Sequence, residues 1–199
     1  MRPKNLEKEQ AIKSVALQLI AEEGLENLSM QKLAKAANIS PRTIYLKYAD
    51  KDDLLIKLYI EEVLGAYEAA ITEGLHDNMT FEEGVKHIWM KSFEYYKTNQ
   101  PAFALMLYGK SSPLLNKAFQ EMNIKEGQYF APIHQFLELQ VKKGKIKDFP
   151  FTVQRALLFA PLTDLINEYF EHINRSGQPV TPQILMAACE TVIDGLLKK

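Results

Sequence analysis

Between Ser29 and Lys51 the chain sets out side chains suited to a polyanion: Ser29, Gln31, Arg42, Thr43, Tyr45, Lys47 and Lys51. The Arg42 guanidinium could reach guanine O6 and N7 together, and Thr43 could touch a thymine methyl group or a phosphate. Gln31 and Ser29 are candidates for a base or phosphate contact. Residues 28–51 hold five basic side chains against one acidic, a net charge of +4. The first 51 residues carry nine basic and six acidic groups, and the remaining 148 carry 15 and 19. A basic patch confined to one stretch of an otherwise mildly acidic chain suits nucleic acid, although a solvated charged face reads the same way by charge alone.

The elements that must position these groups are two short helices and a tight turn. Ser29 is an N-cap residue, and Leu33, Ala34 and Ala37 then follow at helical spacing. Asn38 tolerates the left-handed conformation that ends a helix. Ser40-Pro41 restarts the chain at once, since serine caps and proline loses nothing at the first helical position. This pattern predicts a helix-turn-helix, whose second helix enters the DNA major groove. Ser29 and Ser40 are equally well explained as caps, and Ile44 and Tyr48 as core.

Elsewhere the apolar periodicity is helical and no segment reads as a strand. A first helix is expected over about 6–23, with Ile12, Val15, Ala16, Leu19 and Ile20 on one stripe and Gly24 as its stop. The next two span about 30–37 and 41–48. Asp50 caps a fourth, with Leu54, Leu55, Leu58, Val63 and Tyr67 facing inward as far as Gly74. Thr80 to Glu83 forms a capping box for a helix to about Thr98, followed by a short apolar one over 101–108. A helical region over 113–143 carries a break near Gly127 and Pro132 and stops at Gly144. Another helix runs from Pro150 to about Arg175 and ends at Ser176-Gly177; the last starts at Thr181-Pro182. The fold class is all-α, with about nine helices. Residues 1–50 form a three-helix head and 51–199 a larger helical body.

Other chemistries find little support. The longest apolar runs are too short to span a bilayer, and the polar N-terminus lacks the apolar core of a signal peptide. The single Cys189 excludes an internal disulfide and fits a reducing cytoplasm; on an apolar stripe it reads as an inert packed thiol. The histidines at 76, 87, 134 and 172 lack metal-ligand spacing, and no phosphate-binding glycine loop or nucleophile elbow is present. No enzyme, cofactor, metal or membrane partner is expected.

Four motifs resemble the TetR family of bacterial transcriptional regulators over residues 6–58: Leu33-Ala34-Lys35-Ala36-Ala37, Asn38-Ile39-Ser40, Thr43-Ile44-Tyr45 and Lys51-Asp52-Asp53-Leu54. The family's turn glycine is Asn38 here, and the aromatic or histidine residues that usually follow the tyrosine are Leu46-Lys47. The resemblance implies a base contact at Arg42, a phosphate contact through the Tyr45 hydroxyl, a groove-facing Lys47, and a phosphate held by Lys51 with neighbouring backbone N–H groups. It also implies a cytoplasmic homodimer on a palindromic DNA operator, with a small-molecule effector.

One head makes few base contacts, so two half-sites and a symmetric dimer are expected. Leu157, Ile184, Leu185, Ala188, Val192 and Leu196 on the last two helices are the candidate interface, a four-helix bundle, unless they are simply core. Tyr67, Trp89, Phe93, Phe103, Met106 and Phe130 are candidates to line a pocket for an apolar or amphipathic effector; packed core is the competing reading. The expected protein is a repressor whose effector favours a head separation unable to span both half-sites. The alternative is a helical small-molecule-binding protein without a DNA-binding role.

Overall fold

The computed structural model describes residues 3–124, 128–172 and 180–198. It is all-α. The chain forms α1 (Pro3–Glu23), a 3₁₀ turn (Leu25–Asn27), α2 (Met30–Ala36), α3 (Pro41–Tyr45) and α4 (Lys51–Leu58). A π-helical segment (Tyr59–Ala66) then leads into α5 (Tyr67–Thr72). The remainder is α6 (Phe81–Thr98), α7 (Gln100–Gly109), α8 (Pro113–Glu121), α9 (Ala131–Lys142), α10 (Phe151–His172) and α11 (Pro182–Leu196). The one β feature among the described residues is an isolated antiparallel bridge between Ile146 and Leu197.

Most helix ends follow local chemistry. Thr80 and Glu83 cap each other's backbone at the start of α6, with Thr80 N–H on the Glu83 carboxylate at 2.8 Å. The Thr181 hydroxyl accepts from Ile184 N–H at 3.3 Å, ahead of Pro182. Gly24 and Gly144 end α1 and α9 with φ of 81° and 67°, a region where a side chain is strained. Pro132 sits in the first turn of α9. Gly127, Arg175 and the expected stop at Ser176-Gly177 lie outside the described residues.

One difference has a physical cause. The helix expected to run unbroken from Asp50 to Gly74 widens into the π segment between Tyr59 and Ala66. Its buried residues here, Tyr59, Val63, Tyr67 and Ile71, recur every four positions. An α-helix of 3.6 residues per turn would carry such a series about 40° further round at each step. A wider i→i+5 turn offsets that drift.

Packing divides the chain into two compact units that do not follow sequence order. The first takes the described residues of Met1–Ala66 and Asn99–Glu126; the second those of Tyr67–Thr98 and Gly127–Lys199. In the first, Ile12, Ala16 and Ile20 of α1 meet Leu33 and Ala34 of α2, Ile44 of α3, and Leu54, Leu55 and Leu58 of α4 in one core. The apolar α7 packs along α1 and the π segment, and a β-carbon at Gly109 would fall 1.9 Å from the Tyr59 ring. Lys13 and Glu61 form an ion pair across the same unit.

In the second unit the buried face of α6 (Phe81, Val85, Ile88, Trp89, Phe93, Tyr96) meets α5, α10 and α11. Gly84 lies flush against the Phe136 ring. Cys189 is fully buried on α11, as its apolar stripe implies, and burial pushes its thiol up to about 12.

Candidate nucleic-acid interface

The helix-turn-helix is built by backbone accounting. Ser29 caps α2 by accepting from Lys32 N–H at 3.2 Å. At the other end Asn38 adopts φ of 51°, Asn38 N–H donates to Lys35 C=O at 3.2 Å, and Ile39 N–H donates to Ala34 C=O at 3.0 Å. These two bonds form a Schellman stop, in which asparagine does the work usually left to glycine. The Ser40 hydroxyl then accepts from Thr43 N–H at 3.3 Å and shares a 2.8 Å hydrogen bond with the Thr43 hydroxyl.

α3 is shorter than the expected 41–48. After Tyr45 the chain tightens, with Lys47 and Tyr48 N–H both on the Ile44 carbonyl, before Asp50 caps α4 at 2.8 Å. Ile44 and Tyr48 are buried, so the helix presents its other side. Arg42 and Leu46 lie there one turn apart, joined by the Leu46 N–H to Arg42 C=O bond of 3.1 Å. Tyr45 is 51% exposed and Leu46 78%.

The cations of this surface divide into held and free. Lys47 donates to the Glu9 carboxylate of α1 at 2.7 Å. That ammonium holds the Glu9 carboxyl below the usual carboxylate range. Burial, with Glu9 nearby, pushes the Tyr48 phenol up to about 12, so it stays neutral. Lys57 donates to Asp53 at 2.9 Å and to the Lys47 carbonyl at 3.1 Å. Lys51 donates to the Leu25 carbonyl at 2.8 Å, which ties the start of α4 to the 3₁₀ turn and leaves two of its three donors. Among the described residues, exposed Arg42 and Lys35 make no side-chain hydrogen bond or ion pair.

The predicted residues Ser29, Gln31, Arg42, Thr43, Tyr45, Lys47 and Lys51 therefore all fall in the first unit, on or beside α2, α3 and the start of α4. Two relevant residues are not among those predicted contacts. Lys35 lies one turn beyond Gln31, and both line a recess of about 420 Å³ at the helix-helix turn; their i, i+4 spacing was the available signal. Glu9 lies 38 residues from Lys47, and no local pattern announces that pairing.

Residues 12–58 match the model of the bacterial regulatory proteins, tetR family. The chain is also 32% identical over 170 residues to the fatty acid metabolism regulator protein of Bacillus subtilis, covering 84% of each chain. The chain belongs to the TetR family. Its similarity to an HTH-type transcriptional regulator of Haemophilus influenzae, 34% over 101 residues, covers 51% of this chain and about half (53%) of that protein. The fold matches that of a TetR family transcription regulator from Marinobacter aquaeolei, with a TM-score of 0.84, 21% identity and full coverage of both chains. Among the described residues there is no metal-binding cluster and no helix long and apolar enough to cross a membrane.

In the second unit Trp89, Phe93 and Tyr67 are buried, with Tyr67 stacked on Tyr96 at 4.6 Å and edge-on to Phe130 at 5.8 Å. The Tyr67 hydroxyl bonds Ser92 at 2.9 Å, whereas Trp89 Nε1 is buried without a partner among the described residues. Phe103 and Met106 lie on α7 in the first unit. Leu157 and Ile184 are both 43% exposed, and Ala188 and Val192 half-buried. Leu185 and Leu196 are buried in the protomer's own core.

Proposed function

We propose that this TetR-family chain is a homodimeric transcriptional repressor, released from a palindromic operator when a small amphipathic effector binds the helical body, residues 51–199. The observation that carries the DNA reading is the outward side of α3, where exposed Arg42 and Tyr45 stand over a buried Ile44 and Tyr48. Arg42 takes a base edge there. Thr43, Tyr45 and the remaining donors of Lys51 take phosphates, with Ser29 and Gln31 at the start of α2 completing the footprint.

Dimerisation is supported by the exposed faces of α10 and α11. Leu157 and Val153 on one, and Ile184 with Ala187 on the other, leave apolar surface in water. With Leu185 and Leu196 already buried, the proposed contact falls on Leu157, Ile184, Ala188 and Val192. The kind of effector follows the Bacillus subtilis relative, a fatty acid metabolism regulator. An aromatic interior around Tyr67, Phe93 and Phe130, with an orphan donor at Trp89 Nε1, suits an acyl chain bearing a polar head. The compartment proposed for such a regulator is the cytoplasm.

The test is selection from random DNA duplexes at low salt, followed by titration of the selected complex with fatty acids of graded chain length. Enrichment of a palindrome and its release by one chain-length range are expected. A selection that enriches nothing sinks the DNA reading in favour of a pure small-molecule binder. A complex indifferent to every fatty acid sinks the effector class alone.

A further inference from the structure

Leu46 is the most exposed of the large apolar side chains described, at 78%. It is the C-cap residue of α3, still in helical conformation with φ of −72° and ψ of −19°. It stands one turn beyond Arg42 on the outward side of α3, opposite buried Ile44 and Tyr48. The positive charge next to it is drawn away, because the Lys47 ammonium is held 2.7 Å from Glu9 and Lys57 is held by Asp53. This end of α3 therefore offers hydrocarbon where the rest of the surface offers charge.

A DNA duplex presents little that such a side chain can cover. Phosphates and sugars want donors, and most major-groove base edges are polar; the exception is the thymine C5-methyl group. We propose that Leu46 is a specificity determinant that reads a thymine methyl in each half-site, an inference that rests on the DNA-binding reading above. Four residues of α-helix rise about 6 Å and a base-pair step about 3.4 Å. Leu46 and Arg42 thus address positions about two steps apart. Each half-site should pair a G·C that takes the guanidinium with a T·A about two base pairs away.

The experiment uses the full chain and the duplex enriched by selection, resynthesised with deoxyuridine at one thymidine position at a time. Uracil lacks only the methyl group. Covering one methyl is worth about fourfold in affinity, and about fifteenfold when both half-sites change together. The wild-type chain should lose this factor at one thymine per half-site. Leu46→Ala should bind thymine and uracil duplexes alike, and Leu46→Met, which keeps an apolar reach, should restore the difference. Because the side chain is exposed, neither substitution disturbs the core. A wild-type chain indifferent to uracil at every position, or Leu46→Ala discriminating as well as wild type, overturns the proposal while leaving DNA binding intact. A selection that enriches no duplex removes the DNA-binding reading, and Leu46 with it.

Discussion

The Glu9 carboxylate of α1 holds the Lys47 ammonium at 2.7 Å, so a cation beside α3 is partly neutralised by a residue 38 positions away. For Lys47 to take a phosphate, DNA would have to compete with Glu9. Glu9→Gln should free the ammonium, tighten binding across all sequences and steepen the log K against log [salt] slope by up to about one unit. Affinity measured at several salt concentrations checks this; an unchanged slope would show that Lys47 reaches no phosphate. The pair also sets a pH dependence. The folded carboxyl lies below its ordinary value of 4.5, so its contribution is complete above that value and disappears as pH falls through the depressed one. For so accessible a pair the stake is about 0–1 kcal/mol.

Arg42 and Lys51 should fail in different ways. Arg42→Ala should cost about 1–3 kcal/mol of binding and relax preference at one base pair, with folding unaffected. Lys51→Ala should weaken binding to every sequence and flatten the salt dependence. It should also lower stability by about 1 kcal/mol, because the Leu25 carbonyl loses its donor. Urea melts beside binding titrations separate the two patterns.

Gly84→Ala reverses the usual helix rule. Propensity alone would favour alanine by about 1 kcal/mol in the interior of α6. Here the new β-carbon would meet three atoms of the buried Phe136 ring at 2.2, 2.6 and 2.9 Å. Overpacking should win, with a net loss of about 1–3 kcal/mol in denaturant unfolding. Combining it with Phe136→Leu should recover part of that loss, since the two sites share one contact.

Cys189 should be silent in the native protein. With its thiol pushed up to about 12, the thiolate fraction near about pH 8 is roughly one in ten thousand, and the group is fully buried. A thiol reagent should label it fully in denaturing guanidinium and at the rate of unfolding in its absence. Rapid native labelling would contradict the burial.

Local chemistry was legible in the residues themselves. Ser29, Asn38, Ser40, Asp50, Thr80 and Thr181 act within three or four residues of their own positions, so they set helix ends and the turn without help from the rest of the fold. Ile44 and Tyr48 also read as core in the sequence, and their burial leaves Arg42 and Leu46 on the exposed side. What no local pattern contained was partnership across the chain. Glu9 with Lys47, Leu25 with Lys51, and Gly84 with Phe136 meet only because distant segments pack together. Helical periodicity names an apolar stripe but not what covers it. On α11 it grouped Ile184 with Leu185, and only packing decided that one is exposed and the other buried. Sequence by itself determined the capped helix starts and the turn between α2 and α3; tertiary structure decided which cations stay free to meet a phosphate, because an ion pair depends on distance in space, and spacing along the chain does not supply it.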